Sequence, residues 1–545
     1  ERHFLGAVRR DFRRGGLGLG EEKMEELKGL TERDAEVCAK YKANVAGDAT
    51  ELWFESPEMA GMPASFLKHR VDGSSGKVKV TLSYPDIIPV MGSCEVESTR
   101  KAVVEARERA YGENLELMAE GVALRKRMAE LLGYPSWAHF VIETRMAGTP
   151  EAVEEFLGKL KELARKGSEK DIEDLRAAKK EHKAKLGELV DGEEVVIEAW
   201  DTSFYSNYIL KRDYGVDTEV VREFFPLDHV VETTLQIYQE LLGLVFVELP
   251  SGSFSRWHKD VRLFLVNDAA SGTRTGHFYL DLHPRQGKYS HAAIFHLLKR
   301  HRDQTAVDAM MCNLPAPSAD GTPALLRHGD VVTFFHEFGH IMHGLCAEGD
   351  GNATRFAKCP RDFVEAPSQM LENWCWQPQV LRRLSKHYKS GEPLPDTLRE
   401  ALVAAKNVHE AMGMMRQLYL ATLDLTIHSA APPTSGTGLQ ELVDRLRPEI
   451  TGIRNPKDAN MLRSFGHLMN QYSAAYYGYL WAEVISADMF ATRFEADCMS
   501  KEAGMDYRKM VLAPGGTGKI MDHLKAFLGG RAPTQEPFLR SRAII

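Results

Sequence analysis

Residues 331–345 contain histidines and a glutamate at a spacing that suits a catalytic metal. His336 and His340 stand four positions apart, and Glu337 directly follows the first histidine. On a helix, two histidines at this spacing share one face, so both imidazoles can reach a single Zn²⁺ at about 2.0–2.1 Å. Glu337 then projects toward the open position of the metal. The pattern predicts a hydrolytic zinc site; the competing interpretation is a helix whose histidines only fill core or surface positions.

A catalytic zinc usually has three protein ligands, so the pattern requires a third ligand downstream. Glu365 follows His340 after a connection long enough to turn back a second helix. In a second interpretation, Asp362 and Glu365 form the capping box of a helix, and Glu365 then bonds backbone rather than metal. Pro367 argues against the capping box, because proline would fall inside the helix that the box begins. The sequence therefore favours Glu365 as the third ligand.

Three tyrosines near the C-terminal end could provide hydroxyl groups to a reaction. Tyr472, Tyr476 and Tyr479 are spaced by four and three residues, and His467 precedes them. Residues at this spacing share a helix face, so their hydroxyls could line one wall of a cleft and donate to a developing oxyanion. The alternative is an aromatic stripe that only packs in the core.

The elements that must position these residues are patterned mainly as helices. Apolar residues recur at helical spacing from Phe156 to Leu163, inside a charged run from about residue 150 to 190 that is typical of a solvated helix face. Large apolar and polar side chains alternate over 261–265 and 277–282, as in a small half-buried sheet. The stretches that predict loops or seams between lobes are 250–252, 315–323 and 431–438. The predicted fold is mostly α with a minor sheet.

The composition is that of a globular protein. The 545 residues are 43% hydrophobic and 27% charged, which excludes wholesale disorder and collagen-like repeats. The net charge of −8 disfavours nucleic acid or an anionic membrane as a partner. No window approaches the roughly 18 consecutive apolar residues of a membrane-spanning helix. The seven cysteines include no CxxC pair, and we interpret them as free thiols of a reducing compartment.

The start of the chain bears on its location. Glu1 replaces the usual methionine, and the first residues lack the apolar core of a secretion signal. We therefore interpret the chain as a fragment or a processed form. The expected location is the cytoplasm. A mitochondrial or plastid location is the alternative, because the arginines near the start could imitate a transit peptide; they are Arg9, Arg10, Arg13 and Arg14.

Several motifs together resemble the thimet oligopeptidase and neurolysin family of zinc oligopeptidases. The segments that carry the resemblance are 257–263, 278–285, 336–340, 361–369, 476–481 and 504–507. The resemblance covers nearly the whole chain. It implies two helical lobes that flank a deep channel, with zinc on the channel floor and a small β-sheet near the zinc site. It further implies that residues 1–150 are a helical region of a truncated lobe and that 151–545 form the catalytic region, which contributes to both lobes.

The resemblance also assigns roles to individual residues. One zinc per chain is expected on His336, His340 and Glu365. The expected catalytic residues are Glu337 as general base and His467 and Tyr479 as stabilisers of the oxyanion. The expected substrate contacts are Tyr472, Tyr476 and Arg361, although Arg361 could instead hold the Glu365 segment. By the same resemblance, we expect a zinc metalloendopeptidase that cleaves short peptides. The chain is further expected to be a monomer with no nucleic-acid or membrane partner.

The chain departs from the family pattern at two places. Asn470 and Gln471 stand where the family usually has two glycines, which puts the mobility of that loop in doubt. Residues 357–359 read Ala-Lys-Cys where the family tends to have Ser-Gly-Thr, so the edge that accepts extended substrate could differ.

Two other functions compete with peptide hydrolysis. Residues 513–520 approach a phosphate-binding loop, but Ile520 stands where a Ser or Thr must hold Mg²⁺, which makes nucleotide binding a weak alternative. A catalytically impaired homologue that binds peptides without cleaving them is the other alternative. Zinc-dependent hydrolysis of a short peptide discriminates among all three.

Overall fold

The structure, a computed structural model, describes residues 2–68, 70–192, 194–288, 291–318, 321–348 and 359–545. Over these residues the chain is mainly helical, with one two-stranded and one five-stranded sheet, so the predicted mostly α fold with a small sheet is confirmed. The strands are β1 Glu51–Phe54, β2 Val78–Thr81, β3 Leu244–Glu248, β4 Arg262–Asp268, β5 Arg274–Asp281, β6 Ala293–Leu298 and β7 Ala306–Met311.

In the sequence, the α-helices fall before and after the five-stranded sheet. Those before it are α1 Arg2–Arg14, α2 Glu21–Ala46, α3 Ala64–Leu67, α4 Tyr84–Ser93, α5 Glu97–Arg109, α6 Asn114–Leu131, α7 Trp137–Ile142, α8 Pro150–Leu186, α9 Thr202–Tyr214, α10 Thr218–Val221 and α11 Leu227–Leu242. Those after it are α12 His328–Cys346, α13 Arg361–Val364, α14 Ala366–Glu372, α15 Pro378–Leu384, α16 Asp396–Ala404, α17 Glu410–Ile427, α18 Gly436–Thr451, α19 Gly478–Arg493, α20 Lys501–Tyr507, α21 Ile520–Phe527 and α22 Glu536–Ser541.

The five-stranded sheet lies against the helix that carries the H-E-x-x-H motif. Its strand order is β3-β4-β5-β7-β6, and all neighbours are antiparallel except β5 and β7. The two alternating stretches of the sequence form β4 and β5, which pair Arg262 with Leu280. β7, β5 and β6 contact α12. The small sheet is therefore placed where the resemblance implied, beside the motif helix.

The N-terminal region, residues 1–150, was expected to be helical, and it also contains a short two-stranded sheet. β1 and β2 form an antiparallel pair in which Glu51 lies opposite Thr81. Phe54, Val78 and Val80 are buried on one side of this pair. The pair is short, and burial of alternate residues against the neighbouring helices stabilises it.

Two large hydrophobic clusters hold the helices together, while the division into two lobes around a channel stays a prediction. One surrounds the five-stranded sheet and α12, and Phe278 and Phe338 are fully buried in it. The other joins helices from both ends of the chain, since Val122, Leu160 and Leu420 pack in the same cluster. The boundary at residue 150 stays a prediction, because residues on both sides of it share this second cluster.

Close approach of α12 and α14 brings the motif helix to its downstream partner. A Cβ atom at Gly339 would lie only 2.8 Å from the Ser368 Cα, so glycine is needed where the helices touch. A larger residue at 339 would separate the two helices, which flank the candidate metal site. Within the described residues, none of the helices has both the length and the apolar character to cross a membrane.

Candidate metal centre and active site

Helix α12 buries one face and leaves its two motif histidines partly exposed. Phe334 and Phe338 are fully buried in the core. The side chains of His336 and His340 keep 19% and 16% of their exposure. The helix period thus presents both imidazoles at the edge of the core, where solvent and a ligand can reach them.

Three potential ligand atoms meet beside α12. His336, His340 and Glu365 each offer one atom, and these atoms lie within 4.8 Å of one another. The two Nε2 atoms are 3.2 Å apart, and Glu365 Oε2 lies 3.3 Å from the first and 3.1 Å from the second. The structure therefore brings together the three residues that were predicted as ligands.

The local backbone explains how Glu365 reaches the histidines. Glu365 stands at the junction of α13 and α14, and Pro367 occupies the first turn of α14, where its missing N–H costs nothing. The Asp362 carboxylate accepts the N–H groups of Met146 and Ala147, each at 3.0 Å. Because Asp362 is engaged there and Glu365 faces the imidazoles, the capping-box interpretation is not supported.

The charges around Glu365 suit a bound cation. Burial alone would raise the pKa of the Glu365 carboxyl, but the charge of His340 and the hydrogen bonds of both histidines outweigh it, and the pKa lies well below its usual range. Burial alone would lower the pKa of His336, but its hydrogen bonds to Glu365 and Glu372 raise that pKa well above its usual value. The carboxylates around the histidines therefore stabilise positive charge in this pocket, which suits a bound cation.

Glu337 lies beside this cluster without being one of its three clustered ligand residues. It is 7% exposed. Burial raises the pKa of its carboxyl, and the positive charges of His340 and His336 oppose that rise. A carboxylate whose pKa is shifted toward neutrality is a better proton acceptor, since a general base works best when its pKa is close to the working pH.

A second glutamate, which the sequence analysis missed, supports the first histidine. His336 Nδ1 donates to Glu372 Oε1 at 2.7 Å, which leaves Nε2 directed at Glu365. Carboxylates that orient a metal-binding imidazole in this way are common in metal sites. The available signal was spacing, because Glu372 follows Glu365 by seven residues and so shares its helix face.

The tyrosine segment, residues 466–479, is not the helix that the sequence analysis expected. A 3₁₀ turn over Gly466–Met469 is followed by turns, and α19 begins only at Gly478. Ala474 has a φ of +54°, a left-handed conformation that ends any helix. The prediction that the three tyrosines share one helix face was therefore wrong.

The aromatic rings of the segment nevertheless gather at one place. Tyr472 and Tyr479 stack with ring centres 5.1 Å apart, and Tyr476 lies 5.1 Å from Tyr479. The ring of His467 lies 5.7, 5.5 and 6.2 Å from those of Tyr472, Tyr476 and Tyr479. The turn thus achieves the clustering that was expected of a helix.

This aromatic cluster contacts the metal-site residues directly. The Tyr472 hydroxyl donates to Glu365 Oε1 at 2.5 Å, and the Tyr476 hydroxyl donates to Gln417 Oε1 at 3.1 Å. Burial, together with the charge of Glu365, raises the pKa of Tyr472, and burial raises the pKa of Tyr476 to about 12. The pKa of Tyr479 is raised further, first by burial and then by Tyr472 and Glu365. The hydroxyls therefore keep their protons and can donate.

Arg361 joins the tyrosine segment to α13. Its guanidinium lies over the Tyr472 ring, 5.2 Å from the ring centre, and donates to Gln471 Oε1. Asn470 Oδ1 accepts the Tyr472 N–H at 3.0 Å. Both residues that replace the family's glycines are thus used in local contacts.

At the second departure, residues 357–359, residues 357 and 358 lie outside the described residues. Burial raises the pKa of the Cys359 thiol to about 12.

Local hydrogen bonds hold the glycine-rich stretch 513–520. The Thr517 hydroxyl donates to the Pro514 carbonyl at 2.6 Å, and His523 Nε2 lies 3.2 Å from the Thr517 carbonyl. A Cβ at Gly518 would lie 2.9 Å from the His523 ring. With Ile520 at the position that must hold Mg²⁺, nucleotide binding is not favoured. All seven cysteines lie in the described residues and are free, as predicted.

A mostly α chain with two histidines and a glutamate converging beside a small sheet has the arrangement expected of an H-E-x-x-H metallopeptidase. The family model described as "Peptidase family M3" matches residues 90–544. The chain belongs to this family, and the predicted resemblance is confirmed.

Individual relatives agree with this assignment. The chain is 36% identical over 541 residues to a thimet-like oligopeptidase of Dictyostelium discoideum, covering 97% of this chain and 80% of that protein. It is 36% identical over 551 residues to saccharolysin of Saccharomyces cerevisiae, covering 97% and 76%. The solved structure of PZ peptidase A with an inhibitor shares the fold, with a TM-score of 0.58 at 14% identity over 96% of this chain and 77% of that chain.

Proposed function

We propose that the chain is a zinc-dependent endopeptidase that hydrolyses short peptides. The observation that carries the proposal is the meeting of His336, His340 and Glu365 within 4.8 Å, with Glu337 next to them. Membership of peptidase family M3 and the names of the relatives support it. The convergence of these side chains supports turnover, and no observation favours the catalytically impaired homologue.

Zinc suits this donor set better than a hard cation does. Two imidazole nitrogens and one carboxylate oxygen form a ligand set known from catalytic zinc, whereas magnesium and calcium prefer oxygen ligands alone. One zinc per chain is proposed, held by His336, His340 and Glu365. When bound there, zinc supplies a Lewis acid that makes a water molecule acidic near neutral pH.

The protein's own groups then complete the reaction. The Glu337 carboxylate accepts a proton from the attacking water and passes it to the nitrogen of the leaving amine. The Tyr479 hydroxyl and His467 donate hydrogen bonds to the oxyanion that develops on the scissile carbonyl. Burial lowers the pKa of His467, so the neutral ring donates through an N–H. Tyr472 and Tyr476 contact the substrate beside them, and Arg361 holds Tyr472 in place.

A peptide can bind along the edge of the sheet. β6 is the last strand of the five-stranded sheet in the described part of the chain, and we propose that an extended peptide adds to the sheet at this strand. Leu297 and Leu298 on β6 are 48% and 47% exposed. β6 contacts α12, and a Cβ at Gly344 would lie 3.2 Å from His296 Cε1. An extended peptide on β6 would thus run past the motif helix.

The test is cleavage of an internally quenched peptide of about ten residues with both ends blocked, so that only an endopeptidase can act. We expect hydrolysis that a chelator abolishes and that one equivalent of zinc restores. The same sequence inside a folded domain should stay uncut, because a folded backbone cannot come within roughly 3–3.5 Å of the catalytic groups on a channel floor. Absence of zinc-dependent cleavage would overturn the proposal, and equal rates on both substrates would overturn the enclosed channel.

The contact between Glu372 and His336 leads to a prediction about zinc affinity. Glu372→Ala removes the group that orients the imidazole, so we expect zinc to bind about 10–100-fold more weakly. The measurement is competition with a chromogenic chelator, and at saturating zinc the hydrolysis rate should approach that of the wild type. Glu372→Asp, which keeps a carboxylate, should recover part of the affinity. Unchanged affinity in Glu372→Ala would contradict this role.

A further inference from the structure

A buried aspartate holds the backbone of the tyrosine segment. Asp424 lies near the end of α17 and is 1% exposed. Its Oδ1 accepts the N–H of Ala474 at 2.8 Å, and its Oδ2 accepts the N–H of Tyr476 at 2.9 Å. Both carboxylate oxygens thus bind one turn, the turn that contains the left-handed Ala474 and leads into the aromatic cluster.

His428 connects Asp424 to a second buried charge. His428 Nδ1 lies 2.9 Å from both Asp424 Oδ1 and the Asp424 carbonyl, which can only accept. Arg125 Nη1, which can only donate, lies 3.3 Å from His428 Nε2. The imidazole therefore carries its proton on Nδ1. It accepts a hydrogen bond from Arg125 and donates one to Asp424.

Arg125 binds the opposite end of the same segment. Its Nη1 donates to the Leu468 carbonyl at 2.7 Å, and its Nε forms an ion pair with Asp34 Oδ1 at 3.1 Å. Asp34 lies on α2 and Arg125 on α6. The two ends of the turn, near 468 and near 474–476, are thus fixed by one buried network that begins in the N-terminal helices.

We propose that Asp424, acting through His428 and Arg125, is a positioning residue for peptide hydrolysis. It touches neither the candidate ligands nor Tyr479 itself. By fixing the N–H of Tyr476, it sets where the following residues place the Tyr479 hydroxyl that donates to the oxyanion. The inference rests on the proposed function, because it assigns Asp424 to the hydroxyl donor of that reaction.

The charge of the side chain is what the position requires. A carboxylate accepts two N–H groups at once, whereas an asparagine would place an NH₂ donor against one of them. Asp424→Asn therefore breaks one end of the turn while changing almost no volume. The expected result is a turnover that falls without a matching change in substrate binding or in metal content.

The experiment is a double-mutant cycle with Tyr479→Phe in the zinc-loaded enzyme. For Asp424→Asn we expect kcat to fall about 10–100-fold, KM to change less than about threefold, and zinc to stay near one per chain. In the Tyr479→Phe background the same change should cost less than about threefold, because the hydroxyl it positions is already gone. If the loss of kcat in the double variant equalled the product of the two single losses, the inference would be overturned.

Asp201→Asn is the matched control. Asp201 is also fully buried, accepts the Glu198 N–H at 3.0 Å and pairs with Arg100 at 3.2 Å, in a network separate from the tyrosine segment. This variant should lose stability while kcat stays near the wild-type value. An equal loss of kcat in Asp201→Asn would show that any buried aspartate produces the effect, which would also overturn the inference.

A second variant keeps the test decisive if Asp424→Asn does not fold. His428→Gln retains one donor and one acceptor, and we expect a smaller loss of about fivefold in kcat that disappears in the Tyr479→Phe background. Persistence of that loss would contradict positioning through Tyr479. A wild-type chain without zinc-dependent hydrolysis would overturn the proposed function instead, so the two failures are distinguishable.

Discussion

Glu337→Gln should hydrolyse peptides about 10²–10⁴-fold more slowly than the wild type while still binding one zinc per chain. Glutamine has nearly the same shape as glutamate but cannot accept the proton of the attacking water. The three clustered ligand atoms belong to His336, His340 and Glu365, so the substitution leaves them intact. The measurement is kcat on a quenched peptide, paired with elemental analysis of zinc.

Asp330→Asn on the same helix is the control for this prediction. Asp330 Oδ2 accepts the Arg327 N–H at 2.9 Å and so caps the start of α12. Its substitution should lower the free energy of unfolding by less than about 1 kcal/mol, because the asparagine oxygen can still accept this N–H, and should leave kcat near the wild-type value. If Glu337→Gln turned over as fast as Asp330→Asn, Glu337 could not be the general base.

The two histidines were predictable because their relation is local. The helix period alone places His336 and His340 on one face, and no knowledge of the rest of the fold is needed. Glu365 required more, since its approach depends on how α12 and α14 pack. The close contact at Gly339 that brings these helices together gives no clear sign in the sequence, because a glycine inside a helix has several possible reasons.

The tyrosine segment shows why local patterns fail where remote groups decide the backbone. Spacing predicted a helix, and the segment offers no proline to end it. The turn is instead held by Asp424, Arg125 and their bonds to backbone groups, from helices that are distant in the sequence. Only the packed structure shows that the left-handed Ala474 is supported in this way.

The five-stranded sheet was predictable in part, because two of its strands carry a local pattern of their own. Burial alternates over residues 264–267 of β4 and 276–280 of β5, because one face of the sheet packs on the core there, so these strands were recognised. β6 and β7 carry no comparable alternation. β7 is mostly buried, and four consecutive residues of the edge strand β6 are exposed. Where burial does not alternate, the period that identifies a strand is absent.

Glu365→Ala should remove the metal itself and therefore abolish hydrolysis. Two imidazoles alone lack the third, anionic ligand, so we expect dialysed protein to retain well below one zinc per chain and to be essentially inactive. Although burial raises the pKa of the Glu365 carboxyl, both imidazoles keep this pKa well below its usual range, so its loss also removes a negative charge that favours a bound cation. Zinc per chain after dialysis is the measurement, and excess zinc should restore only part of the activity.

Tyr472→Phe separates the ligand role of Glu365 from its hydrogen bond. The Tyr472 hydroxyl binds Glu365 Oε1, whereas the histidines face Oε2, so removing the hydroxyl leaves the metal-facing oxygen in place. We expect Tyr472→Phe to keep about one zinc per chain under the dialysis that strips Glu365→Ala. Stoichiometric zinc in dialysed Glu365→Ala would show that this glutamate is not a ligand. Loss of zinc from both variants would mean instead that the hydrogen bond to Tyr472 is what keeps Glu365 in position to bind.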